Sequence, residues 1–524
     1  MKMKVMKNKI MILGALLLLV MVTSCREESD AVQNYAFNDG LAFGEAEESY
    51  AGKFKVLWKA LDQNYAIWDY ERSLGLDWDA VYDEFLPKYE ALDERDDVTD
   101  NELKELLEAT AAPLHDGHFV AEIQNHQTGN FVLVSPSHTR REQRSDYESA
   151  LYTAHDMRAY LPAEYGGTGN QILEYKEANT QSVGILKAAY NNPGMGRQWA
   201  KDHVNDPTLE DYQKHALQAF INNFDNIYAQ LLNGLNVAIG LQLYDQLVAA
   251  NQYLKIPGLI PSSTFGDRAV SVKYAHFKDN IAYFYFSGFY LTPYLDDEAF
   301  QQIFGQVDAT TKQFAQAVSQ AWQAWFDKVQ GLHASGQLKA VIIDLRGNSG
   351  GMLKDFQYVL GSMLPSGGFE VSLSRYKRGV GRYDYSPLSP FKIPTLEKAH
   401  ETITEPIVIL TNCCSVSMSE MTSLSCRQLP NGTLIGKRTH GGLCSLQPDP
   451  SGYYQNYSGI IGERGETPVW LYIPQMVTMT KDGQILEGVG LTPDIDVDFD
   501  ITLSQTTGRD SQLERALQFC TTGK

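Results

Sequence analysis

Apolar positions recur at helical spacing from about Phe43 to Leu114. Phe54, Leu57, Leu61 and Tyr65 share one stripe, and Val81, Phe85 and Tyr89 form a shorter one interrupted by Pro87. Thr99-Asp100-Asn101-Glu102 has the spacing of a capping box, with Leu103, Leu106 and Leu107 following on one face. This predicts a small helical domain over residues 46–125, ending in the turn Leu114–Phe119 and a short strand from Phe119 to Ile123. Residues 126–270 carry a weaker pattern. Gly166-Gly167-Thr168-Gly169 and Asn191-Asn192-Pro193-Gly194 mark turns, and the apolar stretch Tyr212–Leu254 reads as two helices, so this part is expected to be a mostly helical insertion. From 271 to 524 buried strands alternate with helices. Ile281–Phe286, Ala340–Leu345, Ile407–Leu410 and Leu434–Gly436 read as strands; Phe300–Leu332, Met352–Leu364 and Met418–Leu429 read as helices. The predicted class is an α/β (α+β) domain with a central sheet flanked by helices, whose ligands gather at the carboxyl ends of the strands.

Length, 524 residues, is enough for three or four domains. With 43% hydrophobic residues the chain has ample material for a core. The first residues are a separate case. Lys2, Lys4, Lys7 and Lys9 precede a thirteen-residue apolar run, Ile10–Val22, which is shorter than the roughly 20 residues of a membrane span. Such a run suits a secretory signal. It ends in Val22-Thr23-Ser24-Cys25, which resembles a bacterial lipobox and implies that Cys25 becomes the acylated first residue. The acid-rich stretch 26–45 then reads as a tether. It is similar to the export tags of Bacteroidetes surface lipoproteins, which implies an outer-membrane location. Without the leader, 40 basic residues face 64 acidic ones. Such a surface repels nucleic acid, and nucleic-acid binding is excluded as a leading function.

Five cysteines remain after Cys25, an odd number that argues against a complete disulfide framework. Cys413, Cys414, Cys426 and Cys444 fall within 32 residues, but at no zinc spacing. Small buried residues are the expectation, with a Cys426–Cys444 disulfide as the open alternative in an oxidising compartment.

Two strand-to-helix turns carry candidate chemistry. Asp344-Leu345-Arg346-Gly347-Asn348-Ser349-Gly350-Gly351 has three glycines, which let backbone N–H groups approach an oxyanion or a phosphate. It lacks a P-loop lysine and a dinucleotide spacing. Ser415-Val416-Ser417-Met418-Ser419-Glu420 follows a buried strand, where a serine can be a nucleophile or an ordinary helix cap.

Taken in order, these segments resemble the tail-specific, or C-terminal processing, serine peptidases, in the tricorn-like branch. Leu114-His115-Asp116-Gly117-His118 is similar to that family's Leu-x-Asp-Gly-His, and Asp344–Gly351 to its Asp-Leu-Arg-x-Asn-x-Gly-Gly. Ser417–Glu420, Leu429–Gly436 with Thr439–Gly442, and Glu487–Ile495 supply the remaining pieces. The resemblance covers about residues 50–120 and 275–500 and implies a crotonase-like ββα core. It also implies a triad of Ser417 as nucleophile, His118 as base and Glu487 as its orienting acid. Gly351 and Met418 N–H would form the oxyanion hole, with Gly350 competing for the first place. Acyl-enzyme chemistry on a peptide or protein substrate follows, without metal or cofactor.

Several departures from the family pattern stand out. The branch that uses a serine–lysine dyad places its lysine 25 residues after the serine; here Gly442 occupies that place, and Lys437 comes five residues earlier. Tricorn-like proteins carry a serine before the histidine, where this chain has Gly117. Seventy residues separate Ser417 from Glu487, which leaves Glu463 and Glu466 as outside candidates for the third member. Arg346 is expected to brace its turn, His115 to be structural or exposed, and His440 to line the cleft. No loop of the PDZ kind is evident, so tail specificity is not expected. Two alternatives remain: a non-catalytic peptide- or ligand-binding lipoprotein, since the fold also serves a retinoid-binding protein, and a cysteine hydrolase using Cys413 or Cys414. Nothing in the sequence sets an oligomeric state.

Overall fold

The helical stripes of the N-terminal part form the helices Tyr50–Asn64, Trp68–Ser73, Trp78–Asp93 and Asp100–Ala111. Pro87 does not break the third. It sits on the exposed side, while Val81, Phe85 and Tyr89 on the other side are buried. A buried aromatic or aliphatic side chain contributes roughly 1.5–3 kcal/mol, so three of them offset the loss caused by one proline. Thr99 Oγ1 accepts from Glu102 N at 3.2 Å, as the capping pattern predicts. The computed structural model describes residues 49–152, 172–178, 196–232, 272–304, 309–377, 381–443, 459–462, 464–507 and 509–524, with isolated positions and short pairs between them. The leader with Cys25, the tether, the turns at 166–169 and 191–193, Cys444 and Glu463 lie outside the described residues.

The described strands are β1 (Val120–Gln124), β2 (Phe131–Val134), β3 (Ile172–Ala178), β4 (Val272–Phe277), β5 (Ile281–Phe286) and β6 (Ala340–Asp344). They continue with β7 (Phe369–Tyr376), β8 (Ser389–Ile393), β9 (Ile407–Thr411), β10 (Gly432–Gly436), β11 (Gln447–Pro448) and β12 (Asn456–Tyr457). The last four are β13 (Gly459–Ile461), β14 (Val469–Ile473), β15 (Met476–Met479) and β16 (Ile495–Asp496).

The central sheet has the order β16-β10-β9-β6-β5-β4-β3. Its first five strands run parallel and the last two antiparallel. Alternate side chains cover its two faces. Phe284, Val341, Ile343, Ile407 and Ile409 pack with Trp322 and Trp325 of the helix Ala309–Ala334. Tyr283, Ile342, Val408 and Leu410 pack with Leu513, Ala516 and Leu517 of the helix Ser511–Thr522. This is the mixed α/β sheet with flanking helices that the alternation predicts. The insertion contributes β3 at the sheet edge, besides the helices Gly196–His203 and Asp211–Leu232.

Two local expectations change. The stretch 300–332 is divided between helices Asp297–Phe304 and Ala309–Ala334. The helix expected over Met352–Leu364 is instead two 3₁₀ segments, Leu353–Tyr358 and Leu360–Met363. Tertiary bonds explain the second change. Trp322 Nε1 takes the Tyr358 carbonyl at 2.6 Å, and Asp355 turns back to accept from Thr292 N at 2.7 Å.

A second sheet, β13-β14-β1-β2, matters most for function. Strand β1, just after His118, pairs antiparallel with β14, with Val120 opposite Tyr472 and Ile123 opposite Val469. The N-terminal helices and this sheet share one core, which includes Leu107, Phe119, Ile123 and Leu471. The histidine loop is thereby fastened to chain more than 300 residues away. A third sheet, β15-β7-β8, flanks the central one.

Candidate active site

Strands β6 and β9 end side by side, so their two turns meet. Asn348 is the hub. Its Nδ2 donates to Phe286 O at the end of β5 (2.8 Å), and its Oδ1 accepts from Gly350 N (2.9 Å) and Ser419 Oγ (2.8 Å). Its carbonyl accepts from Val416 N at 3.1 Å. Asn412 and Ser415 complete the join: Asn412 Oδ1 accepts from Gly347 N at 3.1 Å, and Ser415 Oγ donates to Leu345 O at 2.7 Å. Beneath them Arg346, fully buried, donates to both carboxylate oxygens of Asp344 (2.9 and 2.6 Å) and of Asp510 (2.9 and 2.7 Å). It braces the turn, as expected, and it has no exposure through which to meet a substrate.

Ser417 sits at the start of the helix Met418–Arg427 with φ 59° and ψ −117°. An ordinary N-cap residue is extended. Among the described residues only Asn280 and Ser417 are non-glycine residues with positive φ. Such a conformation costs about 1–3 kcal/mol and persists only where its surroundings hold it. Here Gly350 permits it: a methyl on Gly350 would lie 2.6 Å from Ser417 Cβ and 2.9 Å from Met418 N. Ser417 and Glu420 do form a capping box, but capping alone does not call for this positive φ. The Gly350 N–H is taken by Asn348, as noted above, whereas the Met418 N–H heads the helix beside Ser417.

Glu420 holds the turn from below, a role that sequence reasoning missed. It is fully buried and accepts from Ser417 N (3.2 Å), Thr439 Oγ1 (2.6 Å), Gly441 N (2.7 Å) and Gly442 N (2.7 Å). Burial pushes its carboxyl upward, and these donors oppose that shift. Glu420 lies three residues after a helix-capping serine, the spacing that signals such a reach-back bond.

The 439–442 segment then meets both remaining candidates. Gly441 O accepts from Gly488 N at 2.9 Å, and Leu491 N donates to Thr439 Oγ1 at 2.7 Å, which places the Glu487 turn. The Glu487 Oε2 atom accepts from Gly117 N at 2.8 Å. Gly117 in turn packs flat on Gly442, where a methyl would lie 2.3 Å from Gly442 Cα and 2.4 Å from Gly441 O. This explains two departures at once. No serine fits ahead of His118, and the place of the dyad lysine is pressed against the histidine loop. Gly117→Ala is expected to lower kcat/KM on any cleaved peptide by about 10²-fold, because a displacement near 1 Å is enough for that. Its urea midpoint should fall by an amount equivalent to about 1–3 kcal/mol. Unchanged turnover would mean that the loop tolerates the shift and that this contact does not place His118.

Asp116, His118 and Glu487 offer polar atoms all within 4.8 Å of one another. Asp116 is fully buried, and its Oδ1 accepts from His118 N (2.5 Å) and Phe119 N (3.0 Å). Its Oδ2 and both ring nitrogens of His118 are shut off from solvent without a hydrogen-bond partner. Burial pushes His118 down to about 4 and Asp116 up to about 7. At neutral pH the imidazole is therefore uncharged. His115 is half exposed and bonded through Nδ1 to the buried Glu71 at 2.7 Å, a structural role. His440 lines the same region, with Nε2 3.3 Å from Gly117 O, and burial pushes it down to about 3. Glu466 is exposed beyond β14, at the end of β1 remote from His118. The described cysteines are free thiols, Cys426 included, whose Sγ lies 3.7 Å from Ile407 O, buried beneath β9; the Cys426–Cys444 alternative involves a residue outside the described ones. Cys413 and Cys414 hydrogen-bond to each other.

A cavity of about 580 Å³ lies elsewhere, lined by Arg144, Asp146, Lys437, Arg438, Asp496 and Asp498 among others. Two of its three cations are paired with carboxylates, Arg144 to Asp146 at 2.7 Å and Lys437 to Asp496 at 2.9 Å, and Arg438 donates to Val489 O. No described helix is long and apolar enough to cross a membrane.

Residues 304–497 match the model of peptidase family S41. That span holds Ser417, Glu487 and the Asp344–Gly351 turn, while His118 lies outside it. The carboxy-terminal-processing protease of Bartonella bacilliformis is 27% identical over 203 residues, covering 37% of this chain and 41% of the relative. The chain thus spans about two-fifths of that relative's length. Among solved structures, mature CPAF is 11% identical with a TM-score of 0.45, covering 91% of this chain and 98% of that one. The tricorn protease is 18% identical with a TM-score of 0.26, covering 45% of this chain and 17% of that one.

Proposed function

We propose that this chain is a serine-type peptidase of the S41 kind, hydrolysing peptide bonds through an acyl-enzyme formed on Ser417. The observation that carries the reading is the strained backbone of Ser417, held at a helix N-terminus with Gly350 packed against its Cβ. Strain of this sort lifts a hydroxyl out of the turn toward a substrate, and a merely capping serine has no use for it.

In this reading Ser417 Oγ attacks the scissile carbonyl while His118 accepts its proton. Glu487 then stabilises the imidazolium. The oxyanion rests on the N–H groups of Gly351 and Met418, with Gly350, whose N–H donates to Asn348 Oδ1, as the competing first donor. The imidazolium is then the acid that protonates the leaving amine, and water attacks the acyl-enzyme by the reverse route. Peptides and proteins are the substrates, and Cys25 anchors the mature chain through lipid to the cell envelope.

A fluorophosphonate probe tests this on the purified full chain, with adducts mapped by mass spectrometry. The expected adduct is on Ser417, absent from Ser417→Ala and retained in Cys414→Ala. The same spectra should show a diacylglyceryl-modified Cys25 as first residue, and an unmodified N-terminus would remove the anchor. A second reading, a peptide-binding protein on this scaffold, is favoured by one observation, the unbonded ring nitrogens of His118. Absence of any adduct on folded protein would decide for it.

A further inference from the structure

Beside the three groups of the proposed triad lies a fourth that has no part in it. Asp116 Oδ1 is occupied by two backbone N–H groups, whereas Oδ2 is buried and unpartnered, on a carboxyl that shares a 4.8 Å cluster with the His118 ring and Glu487. A carboxyl needed only to shape the loop would require one oxygen. The second is shut off from solvent beside the imidazole, which gains charge when His118 takes a proton.

We propose that Asp116 is a positioning residue of the histidine: its backbone bonds set the His118 loop, and its inner oxygen, when ionised, raises the proton affinity of the imidazole. This rests on the reading of His118 as general base. The groups facing Asp116 come from several elements. Glu71 in the helix Trp68–Ser73 disfavours its ionisation and Arg140 in the helix Pro136–Glu142 favours it. Glu487 and His118 stand beside it. His440 faces His118 from the 439–442 segment, and Arg141 and Arg144 lie behind His440.

The sign follows from the charges. Burial holds the Asp116 carboxyl protonated up to about pH 7. Above that pH a carboxylate stands next to the imidazole and favours the imidazolium that the reaction forms. Turnover should therefore rise through about pH 7, well above the pH at which His118 itself loses its proton.

The test is Asp116→Asn in the full chain. The amide oxygen can still accept from His118 and Phe119 N–H, so the loop is kept while the charge is lost. Two measurements are paired. In the first, ¹³C-labelled histidine is followed by NMR in the Ser417→Ala background, with His118 assigned by its loss in His118→Ala. The expected result is a step in the His118 resonance near pH 7 that Asp116→Asn abolishes. No step in the parent, or a step that survives the substitution, would overturn the proposal, and neither depends on peptidase activity. The second is the pH profile of kcat. Asp116→Asn should lower its plateau about tenfold with KM little changed and remove the limb near pH 7. A lowered kcat with the limb intact would mean a structural role only and would equally overturn it. If the parent cleaves no peptide while the NMR step behaves as expected, the peptidase reading fails and the coupling between Asp116 and His118 stands.

Discussion

Ser417→Ala is expected to reduce peptide turnover by at least about 10⁴-fold, with His118→Ala close to it and the double variant no worse than the single ones. The three results belong together. A nucleophile and its base act in one step, so removing either removes the step, and the losses do not add. Residual turnover would come from the N–H groups of Gly351 and Met418 and from substrate binding, which survive both changes. Ser417→Ala should cost stability only modestly, about 0.5–2 kcal/mol, since it removes the hydroxyl of the capping box with Glu420. The bond from the residue 417 N–H to Glu420 is a backbone bond and stays. The measurement is kcat/KM on a cleaved peptide, with circular dichroism and a urea melt on the same samples. Turnover above about one part in a hundred in Ser417→Ala, in folded protein, would remove Ser417 from the nucleophile's place. A double variant much worse than either single one would show that the two groups act in separate steps.

The second large effect falls on stability. Arg346→Met is expected to cost about 3–5 kcal/mol, seen as a lower urea midpoint. Arg346 lies between two buried carboxylates, Asp344 and Asp510, and each of its four bonds to them is at most 2.9 Å. The carboxylates hold the guanidinium proton firmly, against the opposing effect of burial. Without the arginine, two carboxylates share a dry site with nothing between them, and proton uptake by the folded form relieves their mutual repulsion, more so as pH falls. The loss should accordingly be smaller at pH 5 than at pH 8. Adding Asp510→Asn to Arg346→Met should recover part of the loss, as coupled neighbours do. A pH-independent loss, or no recovery, would mean that packing of the arginine stem outweighs its charge. Because Arg346 sits under the Gly347–Gly351 turn, partial loss of turnover is expected as well, in proportion to how far that turn relaxes.

The helices and strands that could be found in advance were those whose pattern is local. Strands β5, β6 and β9 are five or six residues long, apolar but for the terminal Asp344 and Thr411, buried on both faces, and lie where the alternation predicts. The helix after Ser417 likewise starts where the serine-rich turn predicts. Local pattern failed where a tertiary partner took over a backbone or side-chain bond. Tyr358 gives its carbonyl to Trp322, and the segment around it tightens into 3₁₀ turns in place of a helix. Pro87 failed as a breaker for the opposite reason, since burial of its helix neighbours outweighed one missing bond.

The candidate site was legible by residue type and order and illegible as geometry. The Asp-Gly-His, Gly-Gly, Ser-x-Ser-Glu and Glu-x-x-Gly segments could be named from the sequence, because glycines and polar residues at turns announce themselves. Their meeting could not. The histidine loop is tied to the Ser417 turn through β1 pairing with β14, through Gly117 stacked on Gly442, and through Glu420 joining Gly441 and Gly442 to Ser417. Each link spans a different distance along the chain, and none has a periodicity of its own. Charge state was equally out of reach. The same imidazole or carboxyl titrates near its ordinary value on a surface, and only closure of the protein around Asp116 and His118 moves them. By itself the sequence determined which segments become strand, helix or turn, because those choices follow from residues within a turn or two of one another. The tertiary structure alone decided which turns meet, which glycines must stay bare and which groups are buried without a partner, because contact and desolvation depend on neighbours that the order of residues does not name.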